Sequence, residues 1–76
     1  MDKEEFLRFF EELLELKCGL IKGNEKLETI EEWDSLATIS FLGMVDRHYN
    51  VNLDAEKVVM SISVDDLFDL LNDLNR

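Results

Sequence analysis

The chain has no proline, one cysteine and one histidine. With Cys18 alone, no internal disulfide can form. Cys18 and His48 stand thirty residues apart in a chain of 76, too small a domain to enclose the kind of pocket that catalysis normally needs, so enzyme chemistry on its own side chains is not expected. No run is apolar for long enough to act as a signal peptide or to span a bilayer. Cations are scarce as well: 8 Lys and Arg face 18 Asp and Glu, for a formal charge of -10. That balance repels nucleic acid and anionic lipid and calls for basic partners. The expectation is a soluble, cytoplasmic, monomeric protein that binds neither nucleic acid nor membrane.

What is present is a folded body. A hydrophobic content of 46% is above that of a disordered acidic tail, and the length holds one small domain, residues 1–76, with a thin margin of stability. Asp2 and Glu5 have the spacing of a capping box, with Asp in place of Ser or Thr. From about Lys3 to Lys17 the apolar residues Phe6, Leu7, Phe9, Phe10, Leu13, Leu14 and Leu16 form a helical stripe. Glu4, Glu5, Arg8, Glu11, Glu12 and Glu15 fill most of the remainder, and Gly19 is placed to end the helix, with Lys17 near its negative pole. From Leu20 to Trp33 the period is lost. This is a long loop for so small a domain, one that Leu20, Ile21, Leu27 and Ile30 could tie down.

A second helix is expected from Asp34 or Ser35 to Tyr49. Thr38, Phe41, Leu42, Val45 and Tyr49 make its core row, and Leu36, Ile39, Ser40, Gly43 and Arg47 face water or a partner. Asp54 to about Met60 suits a short helix. Ser63 and Asp66 then repeat the capping-box spacing before a last stripe of Val64, Leu67, Phe68, Leu71 and Leu74. The fold class that follows is all-α: a small bundle of three main helices and a short one, with a long loop between helices 1 and 2.

Candidate sites are few. Residues 50–56 place oxygen side chains on alternate positions but, with Asn50 as the first ligand, Ala55 stands where a calcium loop needs glycine and Ser61 where it needs a bidentate glutamate. His48 reads as a partly exposed helix residue and Cys18 as a small packing residue. Asp34-Ser35-Leu36 opens a helix in which no charge appears before Asp46. Asp and Ser are both good helix caps, which is a sufficient structural reason for the pair. The functional alternative is that Ser35 presents its hydroxyl at a helix N-terminus, where free N–H groups and the dipole favour an attached phosphate.

Over nearly its whole length the chain resembles the acyl carrier proteins and their peptidyl carrier relatives. It has an acidic first helix, a long loop, Asp34-Ser35-Leu36 opening a second helix, a short third helix and a final amphipathic one. The Thr38, Leu42 and Val45 pattern, Tyr49 at a usually aromatic position and the length of a free-standing carrier agree with this. The resemblance implies that Ser35 carries a 4'-phosphopantetheine arm, whose thiol holds an acyl or aminoacyl cargo as a thioester while the protein itself catalyses nothing. It implies that Asp34 assists the phosphopantetheinyl transferase, and that Leu36, Ile39 and Gly43 lie on the face met by partners: an acyl- or aminoacyl-loading ligase and downstream transferases with basic docking surfaces. Trp33 replaces a residue that is commonly glycine in fatty-acid carriers, and the second helix is neutral where it is usually acidic. Both point to a specialised biosynthetic pathway rather than general fatty-acid synthesis. From another class, an unmodified acidic helical adaptor would fold alike without needing Ser35.

Overall fold

The computed structural model describes residues 2–74. Among them are four α-helices: α1 (Lys3–Leu13), α2 (Ser35–Tyr49), α3 (Ala55–Met60) and α4 (Val64–Leu74), with a 3₁₀ turn at Leu27–Thr29 in the long loop. The architecture is the expected small all-α bundle. Each helix start is fixed locally by a side chain that takes a free first-turn N–H. Asp2 accepts from Glu4, Asp34 from Ala37 and Asp54 from Glu56. At α4 the capping box is complete, since the Ser63 hydroxyl accepts from the Asp66 N–H while the Asp66 carboxylate accepts from the Ser63 N–H.

The stripes converge on an aromatic centre. Phe6, Phe10 and Phe41 have no exposed surface, and Phe6 meets Phe41 edge-on with ring centroids 6.3 Å apart. Val45, Val58, Val64, Leu67 and Leu71 close around them. Burial of whole Phe and Leu side chains, at about 1.5–3 kcal/mol each, is the main favourable contribution to folding so short a chain. Leu74, expected on the α4 stripe, is the last residue of that helix and is exposed.

Helix α1 stops at Leu13, short of Lys17, and Gly19 does not end it. The left-handed residue is Glu15, at φ 58°. The Leu16 N–H reaches the Glu11 carbonyl at 2.8 Å and the Glu15 N–H reaches Glu12 at 3.1 Å, a Schellman ending with glutamate in the usual place of glycine. Leu20 and Cys18, both expected to pack, are exposed instead. The chain turns so that Ile21 rather than Leu20 enters the core.

What holds the turn is Glu11, a residue only 1% exposed although sequence placed it among the solvent-facing residues. Its carboxylate accepts the Gly19 N–H at 3.0 Å and the Ile21 N–H at 2.7 Å. The Arg8 guanidinium pairs with it at 2.8 Å, so the buried charge is both hydrogen-bonded and matched.

Further along, Glu25 accepts from Lys22 and Gly23. Burial works against its charge, but these two hydrogen bonds hold its carboxyl below the ordinary glutamate range. Gly23 lies against the Asp65 carboxylate at φ +117°, a backbone conformation that residues with a side chain rarely adopt. The loop then pairs with the α3–α4 connection and the start of α4: Asp65 donates its N–H to the Gly23 carbonyl, Val64 to that of Glu25, and Leu27 to that of Ile62. Ile21 and Leu27 are buried and Ile30 half-buried, so the loop is held along its length up to the start of α2.

Candidate functional site

The last loop residue before α2 is the anchor of the site. Trp33 is half-buried, with its ring centroid 5.5 Å from those of both Phe10 and Phe41, so the start of α2 is pinned directly to the aromatic centre. Asp34 follows in extended geometry as the N-cap, its carboxylate 2.8 Å from the Ala37 N–H. Its carbonyl accepts both the N–H and the hydroxyl of Thr38, at 2.9 and 3.0 Å.

Ser35 is therefore the first helical residue and not the cap. It is exposed, and the capping it was equally suited to provide belongs to Asp34. The Ser35 and Leu36 N–H groups belong to the first turn, which by helix geometry lacks intrahelical acceptors. With no acidic residue inside the first turn, the positive end of the helix dipole is offset only by the Asp34 cap. This arrangement suits a phosphate ester on the Ser35 oxygen: an accessible hydroxyl on a rigid helix start, beside free N–H donors.

The exposed row of α2 is as the spacing predicts. Leu36 is 72% and Ile39 67% exposed. Ser40, Gly43 and Arg47 are exposed too, while Phe41 and Val45 of the opposite row are buried. Two concavities flank the start of the helix. On one side, a groove of about 520 Å³ is lined by Trp33, Leu27, Val59 and Ile62, with Lys26 and Glu28 beside them. On the other side, towards α1, a groove of about 430 Å³ has Leu13, Leu14, Ala37 and Met44 as its floor and Glu15, Glu32 and Asp34 along its edge.

The remaining candidates separate from this site. His48 stacks on Phe9 at 5.2 Å and meets Tyr49 edge-on at 4.6 Å. Cys18 is an exposed free thiol. Among the described residues no group of three or more His, Cys, Asp or Glu is arranged to hold a metal ion. No described helix is long and apolar enough to cross a membrane. What sequence reasoning missed is the support behind the site: the Glu11 clasp and the pairing of the loop with residues 62–65. Compared with known proteins, the chain matches no family model, no curated protein and no solved structure.

Proposed function

We propose that the protein is a carrier that holds an acyl or aminoacyl group on a 4'-phosphopantetheine arm joined to Ser35, and hands it between enzymes of a specialised biosynthetic pathway. The observation that carries this reading is the division of labour at the start of α2. Asp34 caps the helix, which leaves the exposed Ser35 hydroxyl with no structural task. The arm, when attached, supplies a thiol and reach. The chain's own residues hold the attachment oxygen on a rigid helix start, place first-turn N–H groups beside the phosphate, and surround it with a surface that enzymes can read.

The test is direct. Incubated with coenzyme A and a phosphopantetheinyl transferase, the protein is expected to gain one arm, mapped by peptide mass spectrometry to Ser35. Modification at another residue, or none with several active transferases, removes the reading and leaves an acidic helical adaptor.

Partner binding divides between charge and apolar contact. Eleven of the 18 acidic residues lie between Asp2 and Asp34, whereas α2 offers the exposed Leu36 and Ile39. Association with a basic loading ligase or acyltransferase is expected to slow as salt rises, because surface charges are screened beyond roughly 8 Å at physiological ionic strength. Ile39→Glu is expected to weaken the complex mainly through faster dissociation. Stopped-flow kinetics that show neither effect contradict this division.

A further inference from the structure

We propose that the Glu25 carboxylate is a proton-operated clasp: ionised, it holds the loop against the first turn of α4, and when it takes up a proton the two separate while the helices stay folded. The inference is independent of any arm on Ser35.

The first N–H groups of a helix have no partners inside it, and at α4 the loop supplies them. Val64 donates to the Glu25 carbonyl at 3.1 Å and Asp65 to the Gly23 carbonyl at 2.8 Å. A third bond, from Leu27 to the Ile62 carbonyl at 2.8 Å, continues the row towards Trp33. Gly23 presents its carbonyl from a backbone at φ +117°, a conformation that needs a local restraint to persist in a loop. Glu25 supplies it. One carboxylate oxygen accepts the Lys22 N–H at 2.7 Å and the other the Gly23 N–H at 2.8 Å, and neither N–H meets a backbone carbonyl.

Charge sets the strength of this clasp. An ionised carboxylate takes both donors in charge-assisted bonds, roughly twice as strong as neutral ones. Once protonated, it turns an O–H towards one of the two donors and loses the charge that attracts the other. The charged groups around it are Lys22 on the same turn, and Asp65 of α4 with Lys3 of α1, whose ion pair lies against Gly23. Burial raises the Glu25 carboxyl, the backbone hydrogen bonds and the Lys22 charge lower it, and the balance falls below the ordinary range. A carboxyl held low by folding stabilises the fold in full at neutral pH. That contribution is lost as pH falls through the folded value, below about 4.3.

The release is local because each neighbouring stretch has its own anchor. Upstream, Gly19 and Ile21 are held by Glu11 and its Arg8 partner. Downstream, Leu27 is buried in the core and Trp33 packs against it. Acid also lowers the net charge of -10, which relieves self-repulsion in the bundle as a whole. What opens is the turn at residues 22–25 and the cap it provides to α4, and the start of α2 stays in place.

The test is an NMR titration of the unaltered protein, labelled with ¹⁵N and with ¹³C at the glutamate carboxyls, from about pH 7 to about pH 3. The Lys22, Gly23, Val64 and Asp65 amides are expected to share the Glu25 midpoint, and those of Leu27, Ala37 and Phe41 not to follow it. Glu25→Gln is expected to remove this shared step. At neutral pH it is expected to speed hydrogen exchange at Val64 and Asp65 at least about fivefold while leaving Ile21 unchanged. Titration of the Asp65 carboxyl itself is told apart because its step survives in Glu25→Gln. Glu28→Gln, which removes the same charge from an exposed loop position, is the control and is expected to do neither.

Three results would each overturn the proposal. Lys22 and Gly23 titrating without Val64 and Asp65 would mean that the carboxylate shapes the turn but does not hold the junction. Exchange at Val64 and Asp65 no faster in Glu25→Gln than in Glu28→Gln would mean that its charge is not what closes the clasp. A single midpoint shared by every amide, Phe41 included, would mean that acid unfolds the bundle as one unit. The titration of the unaltered chain decides the matter even where Glu25→Gln disturbs the fold, and loading at Ser35 is scored separately.

Discussion

Replacing Glu11 by alanine is expected to cost about 3 kcal/mol, a large share of the total of roughly 4–11 kcal/mol that a chain of this length can have. The loss does not come from an ion pair as such. The Arg8 partner is partly exposed and can return to water. It comes from the Gly19 and Ile21 N–H groups, which bond to the carboxylate at 3.0 and 2.7 Å. The Ile21 bond is buried, so its donor is left without an acceptor where water does not reach. Glu11→Gln keeps the shape and one acceptor oxygen but turns an amide donor towards the arginine, and an intermediate loss is expected. Glu12→Ala, one residue along and exposed, is the control, with a change of about 0.5 kcal/mol or less. Urea titrations followed by Trp33 fluorescence report all three, because the indole packs on Phe10 and Phe41. If Glu11→Ala unfolds no earlier than Glu12→Ala, the clasp does not hold the loop.

Glu11 also shows where the sequence was legible and where it was not. The residue was readable as an anomaly: Leu7, Phe10, Glu11 and Leu14 stand at i, i+3, i+4 and i+7, so the carboxylate falls within the apolar stripe and not opposite it. What the spacing could not supply was its partners, because Gly19 and Ile21 lie in a loop whose path is set by tertiary contacts. The same reason hid the end of α1. Glycine is the usual left-handed residue at a helix end, and choosing Gly19 over Glu15 followed propensity where tertiary contacts prevailed. By contrast, α2 was legible to within one residue at its start and to Tyr49 at its end, since Asp34 fixes the start by a local bond and the row from Thr38 to Tyr49 keeps helical spacing throughout. The capping box at Ser63 and Asp66 was legible on the same grounds. The exposed faces of Leu36 and Ile39 could be read from periodicity. The groove facing α1 could not, because it depends on how two helices pack.

Ser35→Ala is expected to abolish loading with the arm while leaving the fold almost unchanged, and Asp34→Ala to do nearly the reverse. The argument rests on which residue caps α2. The Asp34 carboxylate takes the Ala37 N–H at 2.8 Å, so its removal costs on the order of 1 kcal/mol and lets the first turn fray. Loading then weakens, because the attachment residue is less firmly presented, but it does not stop. Ser35 occupies the first helical position, where alanine is at least as good a helix former, and the expected change in stability is within about 0.5 kcal/mol. Urea midpoints, helical circular dichroism and transferase-dependent mass gain, measured on the same preparations, separate the two roles. A Ser35→Ala protein that stays folded and gains no arm fits a carrier whose serine serves only attachment. One that unfolds, with its remaining folded fraction still accepting the arm at another residue, makes Ser35 a structural residue and leaves the carrier proposal without its attachment point.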